Sequence, residues 1–281
     1  MITLQNLHTH STWCDGRDSV EEMILYAMEN GFDSVGFSGH SSMFYAPEHG
    51  MAVGEVESYI SDVRAMAKKY EDRIKVFCGI ELDLYSKGDF TPFDYVIGSV
   101  HYLKIGGEYV GFDRNATTVK SVIDTYFGGD GMKYAKAYYK TLATLPTRGK
   151  IDVIGHFDLI TKHSEKENFF DWESSVYQGY ATAAMDALIP RVKILEINTG
   201  AIARGYRKTP YPTAFLLKEW KARGGEIIIS SDCHNQKFLA CGFAESIELA
   251  KACGYTHTQV LTENGFMPVP LEEMEKKLSL W

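Results

Sequence analysis

A chain of 281 residues, 45% hydrophobic and 13% aromatic, is long enough to bury one large core, and no Pro- or Ser-rich linker or internal repeat divides it. Its formal charge of −8 disfavours a broad basic surface that grips nucleic acid and leaves small anionic substrates open. The opening MITLQNLHTHST lacks a basic region followed by an apolar stretch, and no run of about 18 apolar residues occurs, so one cytoplasmic domain over residues 1–281, binding neither membrane nor nucleic acid, is expected.

In chain order, short apolar runs alternate with amphipathic stretches. After the His8-Thr9-His10 segment, Asp18 or Ser19 caps a helix through Asn30, with Glu21 and Glu22 in its acidic first turn and Val20, Met23, Ile24 and Ala27 on its apolar face; Gly31 ends it. SVGFSG then leads to His40, and a helix is predicted around Glu55–Tyr70. VFCGI precedes Glu81 and DYVIGSV precedes His101. Helices around Thr118–Phe127 and Met132–Leu145 flank a Gly-rich turn at 128–131. DVIG leads to His156, a helix spans Glu173–Leu188, ILEI leads to Asn198, and a helix spans Pro212–Arg223. EIIISS then leads to Asp232, followed by a helix at Ala244–Ala252, a further strand near Gln259–Leu261 and a closing helix within Leu271–Leu280.

The Val-, Ile- and Phe-rich runs read as buried parallel strands. Almost every one stops at a side chain able to bind a metal. Barrels of parallel strands gather their active sites at the C-terminal strand ends, whereas an open doubly wound sheet uses only the few strands at its switch point. An α/β barrel is therefore expected, with one site drawing on residues more than two hundred positions apart.

In extended backbone, alternate residues share a face, so His8 and His10 can approach one cation. With Asp15, His40, Glu81, His101, His156, Asp232 and His234 they account for six of the nine histidines, and His49, His163 and His257 are left as surface or structural groups. Asn198, also at a strand end, suits a hydrogen bond inside the rim, and Asp158 suits either support for a ligand imidazole or a helix cap. The five cysteines lack CxxC spacing and are expected to be reduced. Backbone alternation should turn Cys14 and Cys233 away from the ligand side.

The segments LHTHSTWCDGRDS, SGHSS, CGIELD, DYVIGSVHYL, VIGHFDLI, LEINTG and SSDCH, in this order, resemble the PHP (polymerase and histidinol phosphatase) family, and DYVIGSVHYL, GHFDLI and EINT resemble its histidinol-phosphatase branch. The resemblance implies a distorted (β/α)7 barrel, a TIM-like fold, holding two or three divalent transition-metal ions: zinc, iron or manganese. It assigns His8, His10, Glu81 and Asp232 to a first ion, Glu81, His101 and His156 to a second, and Asp15, His40 and His234 to a third, with Asp15 standing where many relatives have histidine. The activity implied is that of a metal-dependent phosphomonoesterase hydrolysing L-histidinol phosphate in histidine biosynthesis, with metal-activated hydroxide attacking phosphorus, Glu81 bridging two ions, and Asp232 and His234 as candidate proton donors. The alternatives are a phosphoesterase for nucleotides or oligonucleotide ends and a non-catalytic metal-stabilised module.

Substrate contacts are expected from residues beside the ligands. Arg17 is the first candidate for phosphate, because a guanidinium takes two oxygens at once; Ser42, Arg204 and Arg207 are further candidates. The stretch from Leu103 to Asp130 reads as a lid that brings Tyr102, Lys104, Tyr109 and Phe112 over the substrate.

Overall fold

The computed structural model describes residues 2–280. Its parallel strands are β1 (Gln5–Asn6), β2 (Ser34–Phe37), β3 (Lys75–Asp83) and β4 (Tyr95–Ser99), then β7 (Val153–Ile154), β8 (Ile194–Asn198) and β9 (Glu226–Ser230). They form one seven-stranded sheet in that order, every neighbour parallel. Past the ends of β1 and β9, Thr9 and Cys233 form a parallel bridge, and the His10 N–H donates to the Cys233 carbonyl at 2.9 Å. This bridge joins the two edge strands, so the sheet closes into a distorted (β/α)7 barrel.

The outer helices are α1 (Val20–Glu29), α2 (Val56–Lys69), α3 (Ala116–Phe127), α4 (Gly131–Leu142), α5 (Ser175–Leu188), the short α6 (Gly200–Ala203), α7 (Ala214–Ala222), α8 (Phe243–Ala252) and α9 (Leu271–Leu278). Of the two predicted caps for α1, Ser19 is the one used. Its hydroxyl accepts from Glu22 N–H while the Glu22 carboxylate accepts from Ser19 N–H, so two otherwise unmatched donors are satisfied. Val20, Met23, Ile24 and Ala27 are buried as the 3.6-residue period requires. The predicted strand near Gln259–Leu261 exists but does not join the parallel sheet. It belongs to β10 (His257–Thr262), paired antiparallel with β11 (Gly265–Pro270).

Alternation along the strands explains the site. Phe77, Tyr95, Ile97, Val153, Ile194 and Ile228 meet in one apolar cluster inside the barrel, with Leu7 and Leu261. Two-residue steps toward the C-terminal ends run from Phe77 to Glu81, from Ile97 to His101, from Ile194 to Glu196 and Asn198, and from Ile228 to Asp232. The intervening Ile80, Val96, Leu195 and Ile227 pack into the larger core beneath the helices. One face of each strand thus begins apolar and ends polar. The Tyr95 ring fits across the interior because Gly79 faces it: a Cβ there would lie 2.2 Å from the ring. The Tyr95 hydroxyl donates to the Leu7 carbonyl.

One addition shapes the rim. After β4, the antiparallel hairpin β5 (Tyr102–Ile105) and β6 (Glu108–Gly111) leads into α3. The expected lid is therefore a hairpin followed by a helix.

Candidate metal centre

Glu81 stands at the middle of the rim and is 1% exposed. Its Oε2 lies 2.8 Å from His40 Nδ1, 3.3 Å from His8 Nε2 and 3.6 Å from His10 Nε2, while Oε1 lies 2.9 Å from His156 Nε2 and 3.4 Å from His101 Nε2. Asp232 approaches from the opposite strand, with Oδ1 3.2 Å from His10 Nε2 and 3.7 Å from His8 Nε2. Asp232 adopts a φ of 48°, a left-handed conformation that most non-glycine residues avoid, so surrounding contacts hold its backbone there. Asp15 completes the cluster: Oδ2 lies 3.2 Å from His234 Nε2, and Oδ1 lies 3.6 Å from His10 and 3.8 Å from His40.

The buried carboxylates at the centre are held ionised by the cations around them. Burial alone would raise the Glu81 carboxyl, yet His40, His8 and His101 hold it well below the usual carboxylate range. Burial is likewise overcome at Asp232, chiefly by Arg204 and His8. Burial pushes His10 down to about 3, reinforced by His234 and His40, so its imidazole is neutral and able to ligate.

Three groups of donor atoms converge closely enough to share a cation: His8, His10 and Asp232; His40, Glu81 and His101; and His10, Asp15, His40 and His234. His8 Nε2, His10 Nε2 and Glu81 Oε2 are all buried and, close as their neighbours are, make no hydrogen bond of good geometry. Leaving such an atom unmatched costs about 1–3 kcal/mol, and a cation at the convergence point removes that cost. The donor chemistry, imidazole with carboxylate, suits zinc, iron or manganese. His40 falls nearer Glu81 than its expected grouping with Asp15 and His234 alone implies, because its two ring nitrogens face different carboxylates.

The candidate ligands are held from behind by residues that sequence reading overlooked. Glu196, on β8, is fully buried; its Oε1 lies 2.6 Å from His8 Nδ1 and accepts from Ser230 Oγ, while Oε2 accepts from His156 N–H at 2.7 Å and Asn198 Nδ2 at 2.9 Å. Asp83 Oδ2 accepts from His101 N–H at 2.9 Å and lies 3.3 Å from its Nδ1. These carboxylates fill the role considered for Asp158, which instead accepts from Thr213 N–H at 3.3 Å. Glu196 was concealed in an apolar run, although its two-residue step from Asn198 was a usable signal. Cys14 also departs from expectation: a turn after His10 brings its Sγ to 3.5 Å from His10 Nδ1, and burial raises this thiol to about 12. Cys233 is buried in the core.

A cleft of about 570 Å3 opens over the centre, lined by Met43, Tyr45, Tyr102 and Tyr109 together with Asp113, Lys162, Arg204 and Tyr206. Tyr45 stacks on Tyr109 with centroids 4.5 Å apart and meets Tyr102 edge-on at 4.9 Å. Arg204 Nη2 donates to Asp232 Oδ2 at 3.1 Å, and Nη1 lies 3.1 Å from His234 Nδ1. A Cβ at Gly200 would come within 2.8 Å of that guanidinium, so glycine makes room for the pair.

The other expected substrate contacts are placed differently. Arg17 is exposed and Ser42 partly so, and neither lines the cleft; the Arg17 N–H donates to the His234 carbonyl. Lys104 is exposed, with Nζ 5.1 Å from the Tyr109 ring centroid on the hairpin. Phe112 is buried against Tyr134 and Tyr138. Arg207 is buried away from the cleft, donating to Thr161 and Thr209. His49, read as an ordinary surface group, lies on the cleft rim.

A family model described as a PHP domain matches residues 6–200. A Deinococcus radiodurans protein named as a probable histidinol-phosphatase is 26% identical over 270 residues, covering 90% of this chain and 95% of its own. The Bacillus subtilis histidinol-phosphatase is 22% identical over 249 residues, covering 81% and 92%. Among solved structures, histidinol phosphate phosphatase from Lactococcus lactis, in complex with zinc, L-histidinol and phosphate, superposes with a TM-score of 0.71 at 19% identity, covering 95% of this chain and all of the other.

Proposed function

Because this chain belongs to the PHP domain family, we propose that it is a metal-dependent phosphomonoesterase that hydrolyses L-histidinol phosphate, in keeping with the names of relatives it spans almost end to end. The observation that carries this reading is the convergence of His8 Nε2, His10 Nε2 and Glu81 Oε2, buried and without a hydrogen bond of good geometry, at the base of a cleft. On this reading His8, His10 and Asp232, with Glu81 beside them, hold one cation, Glu81 and His101 with His156 and His40 close by a second, and Asp15, His40 and His234 a third, beside His10. Divalent cations in these positions supply an acidified water and neutralise charge on the phosphoryl oxygens.

The chain's own groups do the rest. Arg204 presents a planar fork at the cleft and is the phosphate-facing arginine, because Arg207 is committed elsewhere. Lys162, 8% exposed and 2.9 Å from Asp113, adds a second cation to the cleft. The cleft tyrosines offer flat apolar faces to an imidazole, and Asp113 and Glu48 offer negative charge to an ammonium. Asp232, ionised and held by Arg204, is a poor acid. His234 does not replace it while it ligates, because its Nε2 faces Asp15 and its Nδ1 faces the Arg204 guanidinium, which only donates. Among the described residues no helix is long and apolar enough to cross a membrane.

The test is phosphate release by metal-loaded protein from histidinol phosphate, p-nitrophenyl phosphate, sugar phosphates, mononucleotides and short oligonucleotides. A site built to pair the substrate's amine and imidazole is expected to prefer histidinol phosphate by at least about 100-fold in kcat/KM. Comparable efficiencies across the panel reject the substrate, and no phosphate release from any ester rejects the enzyme.

A further inference from the structure

The aromatic wall of the cleft and the metal ligands are joined through one carboxylate. Asp83 is 2% exposed in its side chain, and its two oxygens face opposite ways. Oδ2 accepts from His101 N–H at 2.9 Å and lies 3.3 Å from His101 Nδ1, while Oδ1 accepts from the Tyr45 hydroxyl and from Tyr85 N–H at 3.1 Å. His101 Nε2 in turn lies 3.4 Å from Glu81 Oε1. The chain of contacts runs from Tyr45 through Asp83 and His101 to Glu81, with no solvent-filled step. Tyr45 is also the centre of the wall, in ring contact with Phe44, Tyr85, Tyr102 and Tyr109. A group that fills the cleft and presses on this ring therefore presses on the hydrogen bond that holds Asp83.

We propose that Tyr45 is a positioning residue, whose hydroxyl fixes Asp83 and through it His101, so that occupancy of the aromatic half of the cleft tightens metal retention at the His101–Glu81 position. This rests on the phosphatase reading, in which the leaving group occupies that half. A ring that served only as a wall would need no hydroxyl, and a hydroxyl that served only folding would be indifferent to the ligand.

Tyr45→Phe keeps the ring and deletes the link. Zinc-loaded wild type and variant, as full chains, are mixed with a chromogenic chelator, with and without L-histidinol, and zinc release is followed. Groups that support a metal ligand from outside the coordination sphere change metal affinity about 10- to 100-fold, so the variant is expected to release one zinc at least about 10-fold faster. L-Histidinol is expected to slow release from wild type and to have no effect on the variant. In histidinol phosphate hydrolysis kcat is expected to fall about 10-fold with KM little changed. Asp83→Asn is expected to release zinc at least as fast as Tyr45→Phe, and adding Tyr45→Phe to it should change release little further. Wild-type zinc retention in Tyr45→Phe, or a change in KM alone, overturns the proposal, as does failure of wild type to retain zinc. If wild type holds zinc but does not hydrolyse histidinol phosphate, the substrate reading fails, and release without L-histidinol still decides whether Tyr45 supports the ligand.

Discussion

Glu196 Oε1 lies 2.6 Å from Nδ1 of His8, and neither side chain meets solvent. The contact fixes the imidazole so that Nε2 points at Glu81 and Asp232 while Nδ1 is engaged by the carboxylate. Burial lowers the His8 pKa, but Glu196, Glu81 and Asp232 together raise it well above its ordinary value.

Glu196→Gln retains the size of the side chain and removes the charge. Zinc affinity measured by chelator competition is expected to fall about 10- to 100-fold. An unchanged affinity would show that the contact is packing only.

Glu81→Gln is expected to lower kcat by well over 100-fold, because loss of a ligand should exceed the cost of losing a group that supports one. Metal analysis should show reduced content per chain. Near-normal turnover with full metal content would refute a bridging role for Glu81.

The three candidate arginines should separate cleanly. Arg204→Ala is expected to lower kcat/KM for histidinol phosphate about 100-fold, since it removes a charged donor facing the cleft. Arg17→Ala should stay within about twofold, as exposed substitutions usually do. Arg207→Ala should instead cost about 2–4 kcal/mol of stability by urea unfolding, because it strips donors from buried Thr161 and leaves Glu165 without its cation.

The Asp113–Lys162 pair supplies a pH test. Burial would raise the Asp113 carboxyl, but Lys162 and His101 hold it below the usual range. A depressed carboxyl contributes stability above its unfolded pKa, about 4, and that contribution is lost as pH falls through the folded value. Lys162→Met should therefore cost about 1–3 kcal/mol at pH 7, with the deficit against wild type narrowing below about pH 4. Urea midpoints across this range measure it, and a deficit that does not vary with pH would assign the loss to packing.

Much of the site was legible because its candidate ligands obey strand periodicity. Phe77 to Glu81 and Ile228 to Asp232 are even steps along one face, so an apolar run ending in a ligand marks both the strand and its inward side. Glu196 was less visible: a carboxylate within ILEI looks like a strand residue until the barrel interior surrounds it. The further strand near Gln259 exists as read, but its pairing was not legible, since a short apolar run fits parallel and antiparallel pairing equally well and only its partner decides.

By itself, then, the sequence determined the alternation of strands and helices, the chemistry available at each strand end, and the family, because these depend on local periodicity and residue type. Tertiary structure alone decided which carboxylate supports which imidazole and which arginine lines the cleft. Arg204 and Arg207 stand three residues apart and would share a face on a continuing helix. Yet α6 stops at Ala203, and Gly205 takes a φ of 69°, turning the chain so that one guanidinium meets Asp232 and the other Thr161. That choice rests on contacts between segments far apart in the chain, which no local pattern encodes.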